Sequence, residues 1–249
     1  MPVLTSEAVV LRTWPVHEAD LIVSLFTRDY GRLRGIAKAA LKSRKRFGGA
    51  LEPMTLARAW FAERPRQELA RLDQLEIIRS PLSAPVDHTR MAVLSFFAEV
   101  IDEALPEHDP QETVFRLLVS VLEQTTKEQP WMPLTYFSLW MTRLMGLLPD
   151  ISRCIVCGEG LALHAAEVFY SSYADGLFCA VHRKGSANPL SADSWQLAQR
   201  MLKAPAAAFS GEPWTRKRGQ DLRRFTLQIL ERHLERKLRT AEALYRLGG

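Results

Sequence analysis

Over the first third of the chain, β-branched, aromatic and other apolar residues gather in short runs separated by turn residues, and over the remainder they recur every third or fourth position. The short runs predict strands at Ser6–Arg12, Leu21–Thr27, Arg32–Ala37, Met54–Phe61 and Leu69–Ile78, each rich in β-branched or aromatic residues. Asp29-Tyr30-Gly31 supplies a hairpin turn between the second and third. Five strands in so short a stretch suit a small closed barrel such as an OB-fold, because an open sheet would leave edges to protect.

Pro81 and Pro85 interrupt the pattern, and helical spacing follows. Val93, Phe96, Phe97, Val100, Ile101 and Leu105 mark one helix. Val114, Leu117, Leu118, Val121 and Leu122 mark a second, with Asp109 expected as its N-cap and Pro110 at its first position. Leu134, Phe137, Trp140, Met141 and Leu144 mark a third that ends near Gly146. Ser191 is expected to cap a helix reaching about Leu202, and a last helix is expected from Gly219 to Leu238. The lone aromatics Trp131, Tyr136 and Trp140 read as core. The fold class expected is α+β and multidomain: an N-terminal β-barrel over residues 1–80, then an α-helical domain over 81–249 with an inserted zinc-binding module at about 150–185.

At 249 residues the chain is long enough for this arrangement, and its 33 Lys and Arg against 28 Asp and Glu give a formal charge of +5. The excess is weak as a total but concentrated in place. Between Tyr30 and Leu51 lie Arg32, Arg34, Lys38, Lys42, Arg44, Lys45 and Arg46, with no acidic residue among them. On a strand, Arg32 and Arg34 share one face, and the remaining cations sit in the following loop, a ridge that could track a phosphate backbone. The alternative is a solvated basic loop kept for solubility. Arg216, Lys217, Arg218, Arg223 and Arg224 form a second cluster at the start of the last helix, where positive charge opposes the helix dipole and so calls for another purpose. Neither cluster carries a sequence-reading motif, so the contacts expected are to phosphates.

All three cysteines fall in one stretch, Cys154-x-x-Cys157-Gly158 followed by Cys179-x-x-His182. Two close pairs separated by a loop are the spacing of a structural zinc site, and a Cys3His set fills a tetrahedral shell without leaving a position for water. Phe169-Tyr170 and Asp175-Gly176 read as a strand and turn that return the second pair to the first. Reduced core cysteines beside an unrelated histidine, or a redox Cys-x-x-Cys, are the competing readings. With an odd number of cysteines and no disulfide framework, a reducing cytoplasm is expected, and no apolar run approaches the roughly 18 residues of a membrane span.

Phe26-Thr27, Tyr30-Gly31-Arg32, the basic run from Ala37-Lys38 to Arg46, Leu51-Glu52-Pro53 and the Cys/His pairs, taken in this order over almost the whole chain, resemble the RecO family of bacterial recombination mediators. The family's zinc site commonly has four cysteines, so His182 is a departure, though imidazole is an ordinary zinc ligand. The resemblance implies a protein that is not an enzyme. It would bind single- and double-stranded DNA, anneal complementary strands and, with RecR, help RecA replace single-strand-binding protein (SSB) on DNA. It also implies that the acidic, Phe-ended SSB tail docks on the helical domain, that RecA is reached only indirectly, and that no membrane is involved. Two other classes compete. A zinc-dependent nucleic-acid enzyme lacks support, since there is no Walker A motif, nucleophile elbow or open metal triad, and His17, Glu18 and Asp20 lie in an expected turn. An RNA-binding OB and zinc protein of translation would share the charge pattern and differ in its preference for RNA.

Overall fold

The computed structural model describes residues 2–63, 67–83, 87–126, 129–161, 167–183 and 185–246. Pro85, part of the expected boundary, lies outside them. The short apolar runs form β1 (Leu4–Pro15), β2 (Leu21–Thr27), β3 (Gly31–Ala37), β4 (Leu56–Ala62) and β5 (Ala70–Arg79). They close into an OB-like barrel in the order β1-β2-β3-β5-β4, antiparallel throughout except between β3 and β5. Val10, Val23, Leu25, Leu33, Phe61 and Leu72 point inward and form its core. A register shift between Val10 and Arg12 lets β1 continue past its expected end, so that Thr13, Trp14 and Pro15 still pair with β2.

Helical spacing becomes α1 (His88–Ala104), α2 (Glu112–Thr125), α3 (Trp131–Leu144), α4 (Ala192–Met201), α5 (Gln220–His233) and α6 (Arg239–Arg246). Asp87 caps α1 by accepting from the Arg90 backbone N–H at 2.7 Å, and Ser191 caps α4 by accepting from Ser194 N–H at 3.3 Å. Between α3 and α4 lies a small sheet, in the order β7-β6-β8, of β6 (Glu167–Tyr170), β7 (Leu177–Phe178) and β8 (Asn188–Ser191).

Two helix boundaries differ from expectation. Asp109 and Pro110 precede α2, whose N-cap position is Gln111. The segment before α2 is spent on the barrel instead: His108 N–H donates to Arg32 O at 2.8 Å, and the Asp109 backbone lies so close to Gly31 that a Cβ there would sit 2.4 Å from Asp109 O. Gly31, at φ +69°, is the one residue type that fits. The helix expected over Gly219–Leu238 stops at His233, because Glu235 at φ +53° turns the chain, and α6, beyond the expected span, starts at Arg239.

The chain divides into two compact units, one of Met1–Thr126 with Leu238–Gly249 and one of Lys127–Lys237. In the first, α2 meets the barrel through Phe115, whose ring lies edge-on to Phe26 at 5.6 Å. In the second, Tyr136 OH donates to Ala204 O at 3.1 Å and the Trp140 indole to Met201 O at 3.0 Å, tying α3 to the end of α4. Among the described residues, no helix is long and apolar enough to cross a membrane.

Candidate metal centre and nucleic-acid interface

The two cysteine turns are built by backbone hydrogen bonds. Gly158, at φ +73°, donates to Cys154 O at 2.9 Å and closes the first turn, while Cys154 N–H donates to Glu159 O at 2.9 Å. Ile155 N–H donates to Leu177 O at 2.9 Å, fixing this turn against β7, the strand that delivers Cys179. His182 N–H then donates to Cys179 O at 3.1 Å and swings the imidazole back. One ligand atom from each of Cys154, Cys157, Cys179 and His182 lies within 4.8 Å of all the others, with His182 Nδ1 3.2 Å from Cys179 Sγ and 4.0 Å from Cys154 Sγ. These four side chains could hold a metal ion.

The electrostatics favour thiolate at the centre. Burial opposes charge on Cys154, but backbone N–H groups of Cys157, Cys179 and Val156 aimed at its sulfur outweigh that and bring its pKa down to about 6. At the exposed Cys157 the Glu159 N–H favours the thiolate, yet desolvation and the neighbouring Cys154 sulfur raise its pKa above the ordinary value. A cation among the four donors would relieve that conflict.

The seven cations of the Arg32–Arg46 run fall into three sets. Arg32 is turned inward, with a side chain 15% exposed. It donates to Leu105 O at 3.0 Å, Asp102 at 3.2 Å and Glu107 at 3.3 Å. Arg34 shares the face of Arg32 and pairs with the same Glu107 at 2.8 Å. Both arginines therefore spend their charge joining β3 to the α1 end, a role hidden in the sequence because their carboxylate partners lie some seventy residues away. Arg46 braces its own loop, donating to Ser43 Oγ at 3.0 Å and Lys38 O at 2.6 Å.

Lys38, Lys42, Arg44 and Lys45 remain exposed, and among the described residues none has a carboxylate partner. Their loop is tied to the barrel. Phe47 and Ala50 enter the barrel core, Ala39 N–H donates to Asp20 Oδ1 at 2.7 Å, Leu41 N–H to Ala19 O at 3.2 Å, and Leu75 N–H to Arg46 O at 2.9 Å. Asp20, read from the sequence as a solvated turn residue, is one of the loop's anchors.

The second cluster also divides. Arg223 is buried, and its guanidinium donates to Thr135 Oγ1 at 2.8 Å, Arg218 O at 2.9 Å and Arg216 O. Arg218 lies over the Trp214 ring at 4.4 Å and pairs with Glu212. Lys217 and Arg224 are exposed and line, with Arg200 and Arg218, a cleft of about 660 Å³. Asp221 lines it too, its carboxylate accepting from Ser191 N–H and Oγ, each at 2.7 Å, and its pKa is lowered because these bonds outweigh its burial.

Comparison with known proteins agrees with this architecture. Residues 1–81 match the family described as Recombination protein O N terminal, and residues 85–242 match Recombination protein O C terminal. The DNA repair protein RecO of Koribacter versatilis (strain Ellin345) is 52% identical over 242 residues, covering 97% of this chain and 98% of the relative. Its counterpart in Anaeromyxobacter sp. (strain K) is 32% identical over 243 residues, 96% of this chain and 95% of the relative. That of Pelotomaculum thermopropionicum is 29% identical over 250 residues, covering 96% of the relative. Both halves of the fold are matched in order and nearly end to end, and the chain belongs to the RecO family of DNA repair proteins.

Proposed function

We propose that the protein is a recombination mediator that makes and breaks no covalent bonds: it binds single- and double-stranded DNA, anneals complementary strands and, with RecR, helps load RecA onto SSB-coated single strands. The observation that carries this reading is the loop tied to an OB-like barrel that presents four exposed cations, Lys38, Lys42, Arg44 and Lys45, with no carboxylate partner among the described residues. Two strands approach each other against phosphate repulsion, and a surface that neutralises several phosphates lowers that barrier without reading sequence. Lys217 and Arg224 supply a further patch in the other unit, and the acidic SSB tail is the partner expected there among the helices.

Zinc is the metal proposed for the Cys3His group. Bonds of about 2.3 Å to sulfur and 2.0 to 2.1 Å to nitrogen place tetrahedral ligand atoms roughly 3.5 to 3.8 Å apart, and the His182 Nδ1 distances of 3.2 and 4.0 Å lie on either side of that range. Four protein ligands close the shell, so the ion would staple the turns of Cys154 and Cys179 and take no part in a reaction.

The test is annealing of complementary oligonucleotides precoated with SSB, followed by fluorescence transfer. Wild-type protein should accelerate pairing, and replacement of Lys38, Lys42, Arg44 and Lys45 by alanine should abolish most of the acceleration. An equally active variant would remove the basis for this reading.

A further inference from the structure

One row of side chains on the outer wall of the barrel ends in an exposed tryptophan. Cross-strand pairing sets Trp14 opposite Ile22 and Ile22 opposite Ile36, so all three project from the same face of β1, β2 and β3. The neighbouring row on that face, Arg12, Ser24 and Arg34, has polar partners: Arg12 and Ser24 meet Asp102 at 3.5 and 3.1 Å, and Arg34 meets Glu107. In contrast Trp14 is 39% exposed, and among the described residues its indole has neither a hydrogen bond nor a ring partner. Trp14 also lines a groove of about 370 Å³ with Leu11, Pro53 and Arg239, so there is room beside it.

The row lies at the end of the barrel that carries the basic loop. Pro15, Leu21 and Ala37 form the terminal pairs of the three strands, Lys38 follows Ala37 directly, and the loop is bonded to Ala19 and Asp20 of the β1–β2 connection. An exposed tryptophan, flanked by the half-buried Ile22 and Ile36, therefore borders a strip of cations that have no carboxylate partner among the described residues. Unpaired bases are flat and apolar on their faces, and their phosphates follow at a fixed reach, so this juxtaposition complements a single strand. A duplex hides its base faces and can use the cations only.

We propose that Trp14 is a stacking platform for an unpaired base of single-stranded DNA, with Ile22 and Ile36 extending the apolar floor and Lys38, Lys42, Arg44 and Lys45 taking the phosphates. This rests on the DNA-binding reading above and gives it a direction. When two strands pair, the base leaves Trp14, so the duplex product is held by phosphate contacts alone and dissociates more readily than the single-stranded reactant.

The experiment compares the full-length wild type, Trp14→Ala, Trp14→Phe and the four-cation alanine variant in titrations of labelled oligo(dT) and of a duplex of equal length, over a salt series. Trp14→Ala should weaken oligo(dT) binding by about tenfold, the scale of losing one stacked base, with the salt slope and duplex affinity unchanged. Trp14→Phe should recover most of the loss. A Trp14→Ala protein that melts like the wild type and binds oligo(dT) as well would overturn the proposal while leaving the DNA-binding reading intact, provided the four-cation variant is impaired. Equal loss on duplex and single strand, or a loss of self-association in place of a loss of DNA binding, would also overturn it. No saturable DNA binding by the wild type would sink both readings.

Discussion

Glu99 of α1 holds the amino end of α6: its carboxylate accepts from Arg239 N–H at 3.0 Å, from Thr240 N–H at 2.8 Å and from the Thr240 hydroxyl. A helix ordinarily draws its cap from the residue just before it. Here that residue is Leu238, which has no side-chain acceptor and is fully buried. Glu99 is itself only 3% exposed. Burial alone would raise its pKa, but the bonds from Thr240 and Arg239 and the nearby charge of Arg12 hold it below the usual carboxylate value.

Replacing Glu99 should therefore destabilise the unit to which α1 and α6 belong. Hydrogen bonds to a buried charge contribute about 1.5 to 3 kcal/mol, and Glu99→Ala should lose an amount in that range on chemical denaturation. Because the folded-state pKa is depressed, this contribution is complete above the unfolded-state value of about 4.3 and disappears as pH falls through the folded-state value. Stability of Glu99→Gln should accordingly show a shallower acid limb than the wild type below about pH 4.3. Parallel limbs would show that the carboxylate's charge is not what holds α6.

Arg32 should behave as a structural residue. Its pairing with Asp102 and Glu107 and its bond to Leu105 O lie in a largely enclosed position. Arg32→Ala leaves two carboxylates without it and should cost about 1.5 to 3 kcal/mol of stability, with the salt slope of DNA binding unchanged. A reduced slope with unaltered stability would return Arg32 to the DNA-binding set.

Metal content gives a separate test. Protein purified without chelator should contain one zinc per chain, and a strong chelator should lower the melting temperature of the unit carrying Cys154 and His182 while leaving the barrel folded. Cys179→Ser should do the same without chelator, whereas His182→Cys should retain the metal. Absence of bound metal in the freshly purified protein would leave the four side chains as a reduced thiol cluster.

The loop cations should appear in the salt dependence of binding. Each phosphate neutralised on a single strand contributes about −0.7 to the slope of log affinity against log salt. Replacing Lys42, Arg44 and Lys45 together should make the slope shallower by about 2 if each meets a phosphate. Arg223→Ala should leave the slope alone and lower stability, since that guanidinium is occupied by Thr135, Arg218 and Arg216. An unaltered slope in the loop variant would assign the loop another role.

The sequence shows the barrel clearly because short apolar runs bounded by turn residues are a local signal: Leu21–Thr27 appears with the bounds read from its pattern, and β3 differs by one residue, Gly31. The cysteine pairs are legible for the same reason, each turn being short and closed by its own backbone. What could not be read is set by partners remote in the chain. Nothing near Arg32 announces Asp102, and nothing near Arg239 announces Glu99. The density of positive charge around Arg216–Arg224 likewise gave no sign that Arg223 is buried, because burial of an arginine is decided by the carbonyls that surround it. Trp14 lies beyond the strand end read at Arg12, so the pattern assigned it to no face of the barrel. Its pairing with Ile22 sets it on the outer wall of the barrel, where it lines a groove beside Ser95 and Ala98 of α1.

The chain leaves the barrel-bearing unit after Thr126 and re-enters it at Leu238. During synthesis, most of the first unit is made early but lacks α6 until the stretch from Lys127 to Lys237, which is free to find its own fold, has been made. The usual order, in which the amino-terminal domain matures first, is thus inverted. Glu99 must wait, a buried carboxylate without its partners, until Arg239 and Thr240 have been made, and any fault in α6 is felt by the segment that was made first.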